Sequence, residues 1–466
     1  MTSARSSSAY LILLVIVALA IRLALAPFFG GFQYDMYALA DWTWHLQFTP
    51  MNLFYEYASS PDHLPGDLWF LWGLGTIFRA FGGMNFESDS YQFAIKTVPA
   101  LADAAIGILI YTIVASVRSK RDALLSASFY LFNPAVIYLT AVWGQWDSVS
   151  MALVLTALWI VVTKRMWLWS VPFLAWAVVI KPPLAPLAGL VVMIPIWRDY
   201  LAGHSLGSWL VRSAVRGIAA GVIGLVSVLI VILPYGVGLP GLKTTWQLLD
   251  RMQVAIDLYP HRTLAASNIW MLGQSSLARI NDETDLMAGF SAQQYGNLLL
   301  VIAMAAVIVL LATLIIRRSA VPMLLTSLWM MTLAAFAFFM LPTRVHERYL
   351  FPALVCLAVI TGLTGGHRRV MALATGTSLT YLLNIAIVYG GFRAAIPEWL
   401  GDFVYGSFLS VLAIANIAIF GALVWGMWSL VRSSASESWM AASTTLDQRE
   451  LAGLDQTAQL TDLRSS

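Results

Sequence analysis

Residues 9–21, AYLILLVIVALAI, are an uninterrupted apolar run, and runs of this kind decide the class of fold. Extended to residue 28, the run is long enough to cross the hydrocarbon core of a bilayer, about 30 Å, as a helix. The chain of 466 residues is 59% hydrophobic and only 11% charged. A soluble domain carries about 25% charged residues. The sequence therefore predicts an all-α, polytopic helical membrane protein.

The apolar runs divide into about twelve predicted spans, with the N-terminus in the cytoplasm. The first span imitates a cleavable signal peptide, but Pro27 follows the candidate cleavage site, so we expect the span to be retained. More than half of the Lys and Arg residues then lie in short inner loops and the two tails, as the positive-inside rule requires. We expect a multi-pass plasma-membrane protein with both termini cytoplasmic. The spans lie near 9–28, 92–117, 123–142, 148–163, 166–180, 183–197, 212–234, 297–316, 320–341, 349–366, 370–390 and 404–431.

Two long external loops, 29–91 and 235–296, carry half of the acidic residues and many Trp and Tyr residues. Loops of this length are usually functional or disordered, and their aromatic content argues against disorder. Within the first loop, Ala38–Leu46 and Trp69–Phe81 suit helices that lie at the membrane interface.

Residues 1–432 are predicted to form one multi-pass module, followed by a polar, weakly ordered cytoplasmic tail over 433–466. The net charge of +3 gives no indication of nucleic-acid binding. The single cysteine, Cys356, excludes an intrachain disulfide and a cysteine-based metal site.

Asp35 lies a few residues past the first span, in QYDMY (33–37), and Asp41 follows six residues later. A carboxylate among aromatic residues at the membrane surface could act as a general base. The alternative is an interfacial acid that water solvates.

Lys96 and Asp103 lie within the second predicted span, seven residues apart, so both should face one side of a helix. Ionisable residues inside a membrane segment are functional candidates by default. A structural polar contact between helices is the alternative.

Trp143, Gln145 and Asp147 belong to WGQWD (143–147), at the outer end of the third predicted span. Such residues suit a sugar, because polar groups bond its hydroxyls and an aromatic ring stacks on its apolar face. The alternatives are an aromatic-belt residue and a helix cap at Asp147. Lys181, in a proline-broken hairpin, could meet a lipid phosphate or simply extend to the interface.

The strongest local signal is RVHERY (344–349), where ionisable side chains and a tyrosine cluster between two apolar runs. Arg and His side chains together can bind a phosphate. Anchoring of lipid headgroups is the alternative. Asn268 and Trp270, in the second long loop, are weak candidates by themselves.

In order along the chain, these segments resemble the GT-C superfamily of integral-membrane glycosyltransferases, most closely its bacterial mannosyltransferase-like members. The resemblance covers residues from about 10 to about 365. The segments that carry it are Asp35 after the first span, the stretch from Lys96 to Asp103, LFNPAV (131–136) leading to WGQWDS (143–148), Lys181-Pro182, Asn268-Ile269-Trp270 and HERYLFP (346–352).

The resemblance implies inverting transfer of a monosaccharide from a polyprenyl-phosphate donor to a glycan or lipid-linked acceptor on the outer membrane face, among membrane lipids. Asp35 would be the catalytic base, and His346, Arg348 and Lys181 would bind the donor phosphate. No cofactor is required, and no metal ligand is identified. The first outer loop lacks an adjacent pair of acids, so a metal-bridged donor is not supported, although a divalent metal stays open. Sugar or acceptor contacts would come from Asp41, Lys96, Asp103, Trp143, Gln145, Asp147, Asn268, Trp270, Glu347 and Tyr349.

A secondary transporter or lipid-linked sugar flippase is the main rival hypothesis, because it too would use intramembrane Lys96 and Asp103. Transporters often show inverted repeats and comparable loops on both sides, and the sequence shows neither. A non-catalytic scaffold would not need the ionisable cluster at 344–349.

Overall fold

The computed structural model of the chain describes residues 2–163, 167–201, 205–272, 280–316, 322–391, 401 and 403–432. The predicted tail, 433–466, lies outside the described residues, as do several of the predicted inner basic residues.

Helices dominate the described part of the chain, as predicted, and two small sheets are the exception. Parallel strands β1 (Val237–Gly238) and β2 (Trp246–Gln247) form one sheet, and antiparallel strands β3 (Asp285–Met287) and β4 (Phe290–Ser291) form the other. Both sheets lie in the second long loop. The α-helices are α1 (Thr2–Leu25), α2 (Gln33–Phe48), α3 (Phe54–Tyr57), α4 (Pro65–Ala80), α5 (Asp89–Ala115), α6 (Lys120–Leu131), α7 (Pro134–Ile137), α8 (Asp147–Thr163), α9 (Val171–Ile180), α10 (Ala185–Leu201), α11 (Leu206–Ile232), α12 (Leu248–Asp257), α13 (Ala292–Ile316), α14 (Met323–Met340), α15 (Phe351–Leu363), α16 (Arg368–Gly391) and α17 (Leu409–Arg432).

The protein is a helical membrane protein. Seven helices in the described part are long and apolar enough to cross a bilayer, or up to eight if the bent pair α6 and α7 forms one span. Each of the twelve predicted spans coincides with helix, but several of these helices are short. α9 has 10 residues and α15 has 13, or about 15–20 Å at 1.5 Å per residue, well below the hydrocarbon thickness. The predicted number of twelve spans is therefore not confirmed.

α14 and α15 form the centre of the helix bundle. In α14, 94% of the apolar window is buried, and α15 is almost wholly buried between α14, α6 and α16. By contrast, α1, α11 and α13 bury only 17% of their apolar windows. Their outward apolar faces are those that lipid would cover, since hydrocarbon tails are as apolar as leucine.

The two long loops contact each other and therefore lie at the same end of the bundle. The guanidinium of Arg251, in α12, donates to the carbonyl of Pro61 and lies 4.3 Å above the ring of Tyr55. The interfacial helices predicted at 38–46 and 69–81 correspond to α2 and α4, which pack on each other.

A helix break between α6 and α7 turns the chain toward this end. Pro134 has no amide hydrogen and cannot continue α6, and the Asn133 side chain caps α7 by accepting from the Ala135 amide at 2.9 Å. The axes of the two segments differ by 44°. α7 continues into a π-helical turn over Tyr138–Trp143, a feature often found at functional sites.

Asp103 and Arg22 form a buried ion pair that joins α5 to α1. Arg22 Nε donates to Asp103 Oδ2 at 2.8 Å, and both side chains are almost fully buried. The hydroxyls of Tyr130 and Thr140 donate to the same carboxylate at 2.7 and 2.9 Å. The carboxylate is thus fully engaged in packing four segments together.

We predict that Asp103→Asn destabilises the protein by about 3–5 kcal/mol, because it leaves the Arg22 charge buried without a counter-ion. The matched control is Asp122→Asn, whose carboxylate lies 3.7 Å from Arg118 and is partly exposed, and which should cost about 0–1 kcal/mol. The measurement is the free energy of unfolding in mixed micelles, compared between each variant and the native protein. Equal losses in the two variants would contradict this account of the pair.

Candidate functional site

Asp35 lies in the first turn of α2, where a helix N-terminus favours a negative charge. Its Oδ2 atom accepts hydrogen bonds from Trp143 Nε1 at 2.9 Å and from the Gln145 side-chain amide. The Phe32 amide donates to the Trp143 carbonyl at 2.9 Å. Two motifs about a hundred residues apart in the sequence thus meet, and the second holds the carboxylate of the first.

Gly144 makes this meeting possible. Its φ of +92° lies in the left-handed region, which a residue with a side chain rarely adopts. A Cβ atom there would also lie 2.5 Å from Met36 Cε. The glycine therefore lets the chain reverse between Trp143 and Gln145, so that both side chains reach Asp35.

The turn between α14 and α15 carries His346, Glu347 and Arg348. Glu347 is buried, and its Oε1 accepts from Arg348 Nη1 at 3.2 Å, while its Oε2 lies 3.8 Å from His346 Nδ1. Arg348 Nη1 also lies 3.2 Å from His346 Nδ1. Glu347 is therefore the counter-ion that holds the other two side chains in place.

The charges of this turn and of Asp35 act on one another. Burial and the Arg348 charge lower the pKa of His346, against the opposing carboxylates of Glu347 and Asp35, so the imidazole is neutral near pH 7. Burial disfavours charge on Arg348, but the carboxylates of Glu347 and Asp35 outweigh it and hold the pKa of Arg348 above its ordinary value. The Asp35 carboxylate is thus close enough for its charge to act on His346 and Arg348.

Lys181 enters the same site from the break between α9 and α10. Its ammonium pairs with Asp147 Oδ1 and lies 5.5 Å above the Tyr349 ring. The Arg348 guanidinium carbon lies 5.8 Å from the centre of that ring. Two cations therefore flank Tyr349. Burial, chiefly, lowers the pKa of Lys181, while Asp147 opposes this effect.

The sequence did not single out His63 and Asp67, which lie beside Lys181. Asp67 is in the first turn of α4, and its Oδ2 pairs with His63 Nδ1. Burial would lower the pKa of His63, but the Asp67 carboxylate outweighs it and raises the pKa to about 9. A histidine followed four residues later by an aspartate at a helix start was the available signal.

Several predicted sugar contacts are already engaged in packing. Lys96 Nζ donates to the carbonyls of Ala26 and Phe29, and the structure does not bring Asp103 into the site. Trp143 is only 1% exposed, with its ring stacked on Phe32 and its N–H on Asp35, so it is not placed to stack on a sugar. Asp103 makes a structural polar contact between helices, which was the alternative hypothesis for this residue. Trp143 instead positions Asp35.

Asn268 and Trp270 attach the second long loop to the end of α14. The buried Asn268 side chain donates to the Phe339 carbonyl at 3.2 Å and accepts from the Trp270 amide, and Trp270 Nε1 donates to the Leu341 carbonyl at 2.7 Å. Asp41 likewise holds the first loop, by accepting from the Ser59 amide at 2.9 Å. All three side chains thus hold segments of the long loops in place.

Arg344 fixes the approach to the turn. It adopts an unusual φ of +60° and its guanidinium bonds Asp282, Asp257 and Glu283. The Arg344 amide donates to the His261 carbonyl at 3.0 Å, and the Leu264 amide donates to the Val345 carbonyl at 3.1 Å. The loop 235–296 is thus bound to the turn. Within the described ranges, no group of three or more His, Cys, Asp or Glu side chains could hold a metal ion.

No protein-family model matches this chain, and no curated protein matches it. Among solved structures, the chain is similar to the archaeal oligosaccharyltransferase AglB from Archaeoglobus fulgidus, in complex with an inhibitory peptide and a dolichol-phosphate. The identity is 13% and the TM-score 0.40, over 92% of this chain and 56% of that one. The chain thus spans little more than half of that protein's length. A likeness at this level assigns neither a family nor a function.

The pKa of His63 predicts a pH dependence of stability. Because folding raises this pKa from 6.5 to about 9, the His63–Asp67 pair stabilises the folded state fully below pH 6.5. That contribution is lost as the pH rises through about 9. Thermal unfolding midpoints should therefore fall over this interval in the native protein and fall less in Asp67→Asn. Parallel curves for the two proteins would contradict the assignment.

Proposed function

We propose that this membrane protein is an inverting glycosyltransferase of the GT-C type. It would transfer a monosaccharide from a polyprenyl-phosphate donor to a hydroxyl of a glycan or lipid-linked acceptor. The observation that carries the proposal is that Asp35, Arg348, His346 and Lys181 converge at the end of the bundle where both long loops lie. A fixed carboxylate beside buried cations is what such a transfer requires.

Asp35 is assigned as the general base. Trp143 and Gln145 both bond Oδ2, so Oδ1 is the atom that would take the proton from the acceptor hydroxyl. As that proton leaves, the acceptor oxygen forms a bond to the anomeric carbon of the donor. The bond from this carbon to the phosphate oxygen breaks, and its electron pair departs with the polyprenyl phosphate. The phosphate leaves as an anion, so no general acid is needed.

Arg348 is assigned as the main phosphate contact, with Lys181 and His346 beside it. The guanidinium presents several N–H groups in a fixed plane, and Arg348 Nε is buried with no partner in the described part of the chain. Preorganised cations stabilise charge that develops on a leaving group. Because the turn follows α14 directly, a lipid chain in the bilayer could deliver its phosphate to this position.

The remaining features of the proposal concern topology and substrate subtype. We place the site on the extracytoplasmic face, with about twelve membrane-associated helical segments in 1–432 and the tail 433–466 in the cytoplasm. Lipid-linked sugars are available on that face after flipping, whereas nucleotide sugars are not. The donor sugar is proposed to be a hexose or pentose, mannose-like in the first instance.

A transporter or flippase is the second candidate. It would need intramembrane ionisable groups that can exchange partners along a path. Asp103 is instead paired with Arg22, and Lys96 is bonded to two backbone carbonyls. These contacts favour the enzyme.

Asp35→Asn should lower the transfer rate by about 10²–10⁴-fold, because an amide cannot accept the acceptor proton. Donor affinity should stay within about twofold of the native value, since Asn still accepts from Trp143. Asp41→Asn is the matched control and should lose much less activity. Transfer would be measured with labelled farnesyl-phosphate sugars and the purified protein. Near-native turnover in Asp35→Asn would remove it as the base.

Arg348→Ala should weaken binding of farnesyl methyl phosphate, a diester probe, by at least about tenfold. Arg348→Lys should bind between the two, because it keeps the charge but loses the planar set of donors. Lys243→Ala, which removes an exposed cation from the second long loop, is the control. Unchanged affinity in Arg348→Ala would move the phosphate site elsewhere.

Binding of the same diester should tighten as the pH falls below neutrality. A bound phosphate raises the pKa of His346, so binding is accompanied by proton uptake at its ring. His346→Gln should flatten this dependence. The diester carries one unchanging charge across the range, so a slope that persists in His346→Gln would assign the proton to another group.

A further inference from the structure

Two buried carboxylates near Lys181 share an unusual arrangement, in which a cation holds one oxygen and the other oxygen is free. Asp67 Oδ2 pairs with His63, and Asp147 Oδ1 pairs with Lys181. Asp67 Oδ1 and Asp147 Oδ2 are buried and have no partner among the residues that the structure describes. The side chains are only 3% and 4% exposed. A buried acceptor without a partner is costly and needs an explanation.

The two carboxylates lie in the same part of the fold. Gly66 packs directly on the end of α9, since a Cβ at this position would lie 2.6 Å from the Ile180 amide nitrogen. Trp176 Nε1 donates to the Gly66 carbonyl at 2.7 Å. This close approach puts the start of α4 beside Lys181. Burial lowers the pKa of Lys181, and the negative charges of both Asp147 and Asp67 oppose that effect.

A third unpartnered group belongs to Trp146, the residue before Asp147 in the chain. Trp146 is 5% exposed, and its Nε1 has no partner among the described side chains and backbone. Its ring belongs to the buried apolar cluster that also contains Leu68 and Ile180. We call Asp67, Asp147 and Trp146 together the polar wall. This wall offers two free carboxylate acceptors and one free N–H donor next to an apolar cluster.

His63 is held firmly enough to fix the first carboxylate. The Tyr55 hydroxyl donates to the His63 carbonyl at 2.8 Å, and the imidazole lies edge-on to Trp42, with ring centres 4.8 Å apart. With a pKa of about 9, the ring is a cation at neutral pH. The His63 cation thus balances the negative charge of Asp67 through Oδ2, while Asp67 Oδ1 stays free. Such an oxygen can accept a hydrogen bond from a neutral ligand.

The chemistry of this wall selects a neutral ligand with several hydroxyls. The two carboxylates would repel an anion, while Lys181 and His63 would repel a cation. Hydroxyl groups can donate to Asp67 Oδ1 and Asp147 Oδ2 and accept from Trp146, which would satisfy all three. Lys181 borders both this wall and Tyr349 and Arg348, where the donor phosphate is proposed to bind. A ligand with hydroxyls in this position would therefore be a sugar attached to that phosphate.

We propose that Asp67 and Asp147, with Trp146, bind the hydroxyls of the donor monosaccharide and that His63 positions Asp67. The inference rests on the proposed function for the identity of the phosphate-linked ligand. It assigns selection of the donor sugar to the start of α4, a segment without a recognised motif.

The test compares affinities for farnesyl methyl phosphate and for farnesyl-phosphate-linked mannose, glucose and arabinose, with the purified full chain. All are diesters of equal charge, so the difference isolates the sugar. In the native protein at least one sugar should tighten binding. Asp67→Asn should reduce that gain about tenfold while leaving farnesyl methyl phosphate within about twofold. Asp62→Asn, which removes a neighbouring, partly exposed carboxylate, should change neither.

Each outcome separates the two proposals. If farnesyl methyl phosphate binds but no sugar improves its affinity, or if the sugar gain survives in Asp67→Asn, the sugar subsite is wrong and the transferase proposal stands. If the native protein does not bind the diester, the phosphate site fails first and the subsite falls with it. Retained diester affinity shows that a variant is folded. Where Asp67→Asn does not fold, Asp67→Glu keeps the charge but displaces the oxygens, and it should lose the same gain.

Discussion

A charge buried in an apolar helix bundle must be paired, and this constraint organises the molecule. Within the bundle, Asp103 is satisfied by Arg22, Tyr130 and Thr140, so that the ion pair serves packing. At the end where the long loops lie, Glu347 and Asp147 each pair with a cation, but Arg348 Nε and Asp147 Oδ2 keep unused bonding capacity. The Asp103 carboxylate is thus bonded at both oxygens, whereas Asp147 uses only one, and this difference distinguishes the packing carboxylate from the one in the candidate site.

Breaks in helices bring the candidate site together. The Asn133-Pro134 break and the reversal at Gly144 deliver Trp143 and Gln145 to Asp35. The proline break after α9 delivers Lys181, and the turn after α14 delivers Arg348. The second long loop binds that turn through backbone bonds and through Arg344. Irregular backbone inside a helical membrane protein is tolerated where protein buries it. In this protein it carries the polar side chains of the candidate site.

The sequence predicted a helical membrane protein and placed helix in each of its apolar runs, because apolar runs of helical length are a strong local signal. It did not predict α3 and α12, which lie in the two long loops. It also named Asp35, Lys181 and the 344–349 turn. It named Trp143 as a sugar contact, but it did not show that the Trp143 ring is buried and that its N–H donates to Asp35. It overlooked His63 and Asp67, because the sequence does not show that Gly66 packs on Ile180 and brings the start of α4 beside Lys181. The sequence did not show that α15, within the span predicted at 349–366, is a helix of only 13 residues.

We propose that the site formed by Asp35 and Arg348 binds a lipid-linked phosphate and presents the attached sugar to the Asp35 carboxylate. The most direct test is an experimental structure of the purified protein with a non-hydrolysable farnesyl phosphonate sugar. We expect the phosphonate within hydrogen-bond distance of Arg348 and Lys181, the sugar between Asp67 and Asp147, and the anomeric carbon on the side of the sugar that faces Asp35. A phosphonate bound at another end of the bundle, or a sugar directed away from Asp35, would contradict it.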